Sequence, residues 1–142
     1  MPVNLQDAAL NVTGAIASSG TTANTGSIDL GLGSFGEYVP HFSEFLITIP
    51  AQTTTQLPNT VTFTYDVILS ASANLGTPTV LYPGVNVQTG AGAAGAAANT
   101  FRFRIPMSPG GVGTVLRYLG VRATISAGQA TAGAIFTLAP VF

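Results

Sequence analysis

Glu37, His41 and Glu44 stand in the spacing E-x3-H-x2-E, which on one face of a helix offers three ligands to a divalent cation. Pro40, just before the only histidine, disfavours that helix. In an extended segment His41 and Glu44 point to opposite faces, so no metal site is expected here. "GLGSFG", Gly31 to Gly36, matches the dinucleotide fingerprint letter for letter and follows a strand-like "SIDL". That motif works through the helix N-terminus that follows it and an acidic residue about 20 positions further on. Here Pro40 interrupts the segment and "QTTTQ" (52–56) stands where the acid belongs. A glycine-permitted turn is the better reading. Asn11-Val12-Thr13 is a glycosylation sequon, but it carries meaning only in a secreted chain, and "MPVNLQDAAL" has no basic region followed by an apolar core. With no cysteine, no lysine and no two carboxylates in one local motif, neither a catalytic residue nor a cofactor site is expected.

The remaining chemistry lies in the arginines. Only 6% of the 142 residues are charged and the net charge is −1, whereas a soluble domain typically carries about a quarter. Mean hydropathy is +0.47. Such a chain is neither disordered by self-repulsion nor basic enough to release counterions from nucleic acid. No run approaches the ~18 apolar residues that cross a bilayer, so no membrane partner is expected. What remains is a folded chain with an exterior of Ser, Thr, Asn, Gln, Gly and Ala, which a partner covers at small desolvation cost. The signs are segregated: Asp7, Asp29, Glu37, Glu44 and Asp66 precede Arg102, Arg104, Arg117 and Arg122.

Those arginines must be held by strands. "TVTFTYDVIL" (60–69) puts Val61, Phe63, Tyr65, Val67 and Leu69 on one face against Thr62, Thr64, Asp66 and Ile68. "TFRFRI" (100–105) sends Phe101, Phe103 and Ile105 inward and Arg102 and Arg104 outward, and Pro106 ends it. Further strand signals lie at 27–30, 43–49, 77–82, 84–89, 114–125 and 133–142, separated by Gly, Pro, Asn and Thr clusters. "GAGAAGAAA" (90–98) is expected to be a mobile surface loop. No helical period competes, so the predicted fold is all-β: a jelly-roll β-sandwich over residues 27–142, at this length a single domain. Residues 1–26 are read as an extended N-terminal arm whose spaced apolar anchors, Leu5, Leu10, Val12 and Ile16, add a strand to a neighbour's sheet edge.

In "TVLRYLGVRATI" (114–125) Arg117 falls on the face of Val115, Leu119, Val121, Ala123 and Ile125. Two readings stay open. Arg117 reaches out at the sandwich rim, covering apolar surface with its stem; or it pairs with Asp29 or Asp66 and pins two sheets, while Tyr118 and Arg122 present an interface together with Arg102 and Arg104.

The order of the pieces "LQDAALNVTGAIAS", "SIDLG", "FSEFLITI", "VTFTYDVILSAS", "FRFRIP", "VLRYLGVRATIS" and "TAGAIFTLAPV" resembles the tailed-bacteriophage capsid cement or decoration proteins over nearly the whole chain. Asp29-Leu30-Gly31, the strand "RYLGV" (117–121) and "TAG" (131–133) carry it best. The longer Ala/Gly loop and the fewer charges depart from it. The resemblance implies a small jelly roll on the outside of the virion shell, made in the host cytoplasm. It would be a non-enzymatic clamp, a homodimer or homotrimer whose partner is the major capsid protein. The rival class is a glycan- or host-surface-binding jelly-roll module of a virion, for which the supply of stacking rings is thin, with no Trp and four Tyr.

Overall fold

The computed structural model describes residues 10–18, 20–30, 44–105, 116–127 and 131–141. Its strands are β1 (Val12–Gly14), β2 (Thr22–Asn24), β3 (Ile28–Asp29), β4 (Glu44–Ile49), β5 (Thr62–Ser70), β6 (Thr79–Thr89), β7 (Asn99–Phe103), β8 (Tyr118–Ile125) and β9 (Phe136–Val141). The chain is all-β, with no α-helix among the described residues. Every pairing is antiparallel, and the pairs nest: β1 with β9, β2 and β3 with β8, β4 with β7, β5 with β6. Two further pairings, β4 with β9 and β5 with β8, join the nested hairpins into sheets of order β1-β9-β4-β7 and β2-β8-β5-β6.

Period two writes the core. Phe63, Tyr65, Val67 and Leu69 of β5, Leu119, Val121, Ala123 and Ile125 of β8, Phe45, Ile47 and Ile49 of β4 and Phe136 and Leu138 of β9 are all buried in one cluster. Rings pack across and along the layers: Tyr65 of the second sheet meets Phe136 of the first edge-on at 5.4 Å, and within the first sheet Phe45 stacks on its cross-strand partner Phe103 at 5.5 Å. Ile68 points to the opposite face of β5 yet is buried, as is Leu75, which sits at φ 55°. Leu75 packs so closely over Gly120 that a Cβ there would lie 2.3 Å from its Cδ1. The non-glycine left-handed conformation is compensated by that packing.

Residues 10–26 depart from the predicted arm. Val12 to Gly14 pair with β9, Thr22 to Asn24 pair with β8, and Ile16 is 1% exposed within the core. Leu10 and Val12 pack against that core from its margin. These anchors bury in their own sandwich because β8 and β9 offer them a free sheet edge; the sheets therefore begin well before residue 27. Leu5 lies outside the described residues, as do residues 31–43, and with them the glycine motif, Glu37 and His41.

Two other expectations change. The segments 77–82 and 84–89 merge into one strand, β6, which begins at Thr79 and is bent by two register shifts, opposite Asp66 and between Val67 and Ile68, with Gly84 at φ 56°. The Ala/Gly segment 90–98 is not a free surface loop. It is bonded backbone to backbone with 50–61: Gln52 N to Ala96 O, Ala96 N to Gln52 O, Gly90 N to Val61 O and Thr60 N to Gly90 O, at 2.8–3.0 Å. A Cβ at Gly90 or Gly95 would lie 2.0 Å from a carbonyl oxygen of Pro58 or Gln52, so small residues are required by close approach. Gln88 completes the dock, accepting from the Tyr65 hydroxyl and donating to Pro50 O and Ala97 O. Burial pushes the Tyr65 phenol up to about 12.

Pro140 fixes which way the backbone groups of the first sheet point. A hydrogen-bonded antiparallel pair exchanges an N–H from each member, so Phe45 opposite Pro140 cannot be one. Glu44, Leu46 and Thr48 therefore bond to β9, and Phe45, Ile47 and Ile49 bond to β7. On β7 the bonded residues are Asn99, Phe101 and Phe103, which leaves the N–H and C=O of Thr100 and Arg102 facing away from the sheet.

Candidate interaction surface

A rank of outward side chains, mostly threonine, crosses each sheet. Across the first sheet Thr13, Thr137, Thr48 and Thr100 stand opposite one another on all four strands. Across the second, Thr22, Thr124 and Thr64 form a rank that ends on Val87, which is 53% exposed. Threonine suits this place: its branched Cβ favours the strand, neighbouring pairs support one another, and it stays neutral. A methyl and a hydroxyl at strand spacing, about 4.8 Å, make a surface that hydrates without charge and sheds water cheaply.

Against these faces the arginines separate into two groups. Arg117 sits just before β8, and its Nε and NH2 both bond to the carboxylate of Asp29, each at 2.5 Å. The two strands are adjacent, Asp29 opposite Tyr118, and Leu30 N bonds to Arg117 O. The fork therefore staples β3 to the start of β8 within one sheet and does not pin the two sheets together. Regular alternation starts only at Tyr118: Leu116, not Arg117, enters the core. The acid raises the Arg117 pKa by its hydrogen bonds first and by its charge second. The guanidinium also lies 5.6 Å from the centre of the half-buried Tyr118 ring.

Arg122 faces Asp66 across β8 and β5 and donates to it at 3.0 Å, with side chains 30% and 14% exposed. Asp66 also accepts the Gly84 amide at 2.8 Å, so one carboxylate holds three strands. Arg117, Tyr118 and Arg122 are thus bound up in their own sheet.

Arg102 and Arg104 are placed otherwise. Arg102 stands on β7, the edge of the first sheet, and Arg104 follows one residue past its end. Arg102 is 59% exposed and touches Glu44 only at 4.0 Å; the guanidinium of Arg104 has no partner among the described residues. Behind them the strand is rigid, because Phe101 stacks along Phe103 and Tyr82 meets Phe103 edge-on. The Tyr82 hydroxyl then bonds to Arg104 O at 2.8 Å.

Between β6 and the segment before β7 lies an uncharged cleft of about 320 Å³, lined by Asn86, Gln88, Thr89, Asn99 and the small residues 95–98. Sequence reasoning missed it, since it joins residues of two strands through a docked loop. Among the described residues no three His, Asp or Glu side chains converge.

The chain matches no protein-family model, and no curated protein matches it significantly in sequence.

Proposed function

We propose that this chain is a structural decoration protein of a tailed-phage capsid, a jelly roll bound to the outer shell surface that clamps neighbouring major capsid subunits and acts without catalysis. The nested pairing and the orders β1-β9-β4-β7 and β2-β8-β5-β6 support the jelly-roll assignment. The observation that carries the functional reading is the pair of threonine-ranked outer faces, where two of the four arginines are hydrogen-bonded to acids of the same chain. Faces of that kind are held by many neutral contacts, and a dimer or trimer multiplies them through avidity.

The test is sedimentation with shells assembled from the major capsid protein. Binding should survive a rise from about 0.1 to about 1 M salt with little loss, since screening acts on exposed charge and not on buried area. Complete release over that range overturns the reading.

The uncharged amide-lined cleft favours a second reading, a module that binds neutral glycans on a host surface. No aromatic side chain lines it, and rings are the usual platform for sugars. Saturable binding on a glycan array that Asn86→Ala abolishes would favour that second reading.

A further inference from the structure

We infer that the outer edge of β7, unpaired among the described residues, takes an extended, carboxylate-bearing segment of a partner protein as an added strand, with Arg102 and Arg104 reading its acids. The inference deepens the clamp reading by naming one attachment and its chemistry. Backbone comes first. Pro140 sets the ladder so that Thr100 and Arg102 turn their N–H and C=O away from β4. The ends of this edge are occupied: Asn99 Oδ1 accepts the Thr100 amide at 2.8 Å and the Tyr82 hydroxyl holds Arg104 O. Between them Arg102 presents an amide and a carbonyl that no described residue pairs. That is room for a short strand, one residue of which exchanges both bonds with Arg102.

Charge then selects the occupant. Arg117 and Arg122 are each held by a carboxylate of their own chain, Asp29 and Asp66, so the cations left for a partner stand on this one edge, two residues apart. Residues two apart on an added strand also share a face, so an acid at alternate positions meets Arg102 and Arg104 in turn. A lysine-bearing strand is rejected by the same pair. The neighbouring edge strand β6 has no charged residue in Thr79–Thr89 and is interrupted by Pro83-Gly84, so it offers neither the selectivity nor an unbroken ladder.

The experiment uses the full-length chain, isotope-labelled, and a blocked nonapeptide alternating threonine and glutamate, with the threonine–lysine peptide as control. The acidic peptide should shift the amides of Thr100, Arg102 and Arg104 and slow hydrogen exchange at Arg102. Phe101 and Phe103, already bonded to β4, should keep their exchange rates. Arg102→Gln and Arg104→Gln should each weaken binding about threefold to tenfold. Arg102→Pro, whose lost N–H faces away from β4, should weaken it beyond Arg102→Gln. Equal binding of the lysine peptide, or unchanged exchange at Arg102 on saturation, overturns the inference. An Arg102 amide already slow in the free protein, together with a dimer by sedimentation, assigns the edge to a second copy and also overturns it. Shells that bind the Arg102→Pro chain undiminished refute this attachment while leaving the clamp standing; a chain that takes the acidic peptide yet ignores shells does the reverse.

Discussion

Two pairs of arginines lie on the two sheets of this domain, and they are used differently. Arg117 and Arg122, on the β8 side, are each held by a carboxylate from a neighbouring strand, and Asp66 adds the bulge of β6 to its grip. Arg102, on β7, and Arg104, just past its end, keep their charge at an edge, with one loose contact to Glu44 between them. Within the first pair Arg117 fastens β3, which has two residues and buries little apolar area of its own, and Arg122 ties β8 to the bulged pair of β5 and β6. The second pair fastens nothing, since β7 is already held by its phenylalanines. In a chain with so few charges, the contrast separates side chains used for folding from the two proposed to serve recognition.

The largest effect should come from Asp66→Ala, which leaves the half-buried Arg122 unpaired and the Gly84 amide without its acceptor. A loss of about 2–4 kcal/mol in urea unfolding is expected. A cost no greater than that of Arg104→Gln would erase the contrast.

Tyr65 sharpens the same division with a neutral group committed to the interior. Its phenol titrates near 12 in the folded protein against about 10 unfolded. Between those values the folded state binds more protons, so its stabilisation is full below pH 10 and is lost as pH rises through 12. The change is of the order of 2–3 kcal/mol. Tyr65→Phe should flatten the alkaline limb of the stability profile, and a limb unchanged by the substitution would assign the loss elsewhere.

Asp29→Asn should weaken the fold less than Asp66→Ala, and high salt should erode the difference from the native chain, because the Arg117 fork lies in solvent. Denaturation midpoints at two salt concentrations measure this. At the small end, Arg102→Gln and Arg104→Gln should leave stability within about 0.5 kcal/mol.

Much of the architecture is legible in single strands. The parity of β5 and β7 follows from alternation alone, because both faces of each are clearly different. The candidates for Arg117, Asp29 and Asp66, are the two acids that do meet the arginines at and just before β8, one each. The assignment between them depends on which strands lie adjacent, and local pattern does not contain that. β1 and β2 escape notice for the same reason: three residues of moderate polarity have no period, and they become strands because β9 and β8 present unpaired edges. Leu75 packs over Gly120, which stands opposite Ile68, on the outward face of the second sheet, which is again a long-range event. The Ala/Gly segment misleads most, since its composition suits both a loose loop and a backbone pressed against another backbone, and only the carbonyls of Gln52 and Pro58 decide between them.

The most direct test of a neutral exterior meant to be covered is electron cryomicroscopy of tailed-phage particles that contain the chain. The expected result is a two-sheet density at fixed outer positions of the shell, its threonine ranks buried against capsid subunits or sister copies. A chain absent from the shell, or attached with both outer sheet faces open to solvent, would contradict the account.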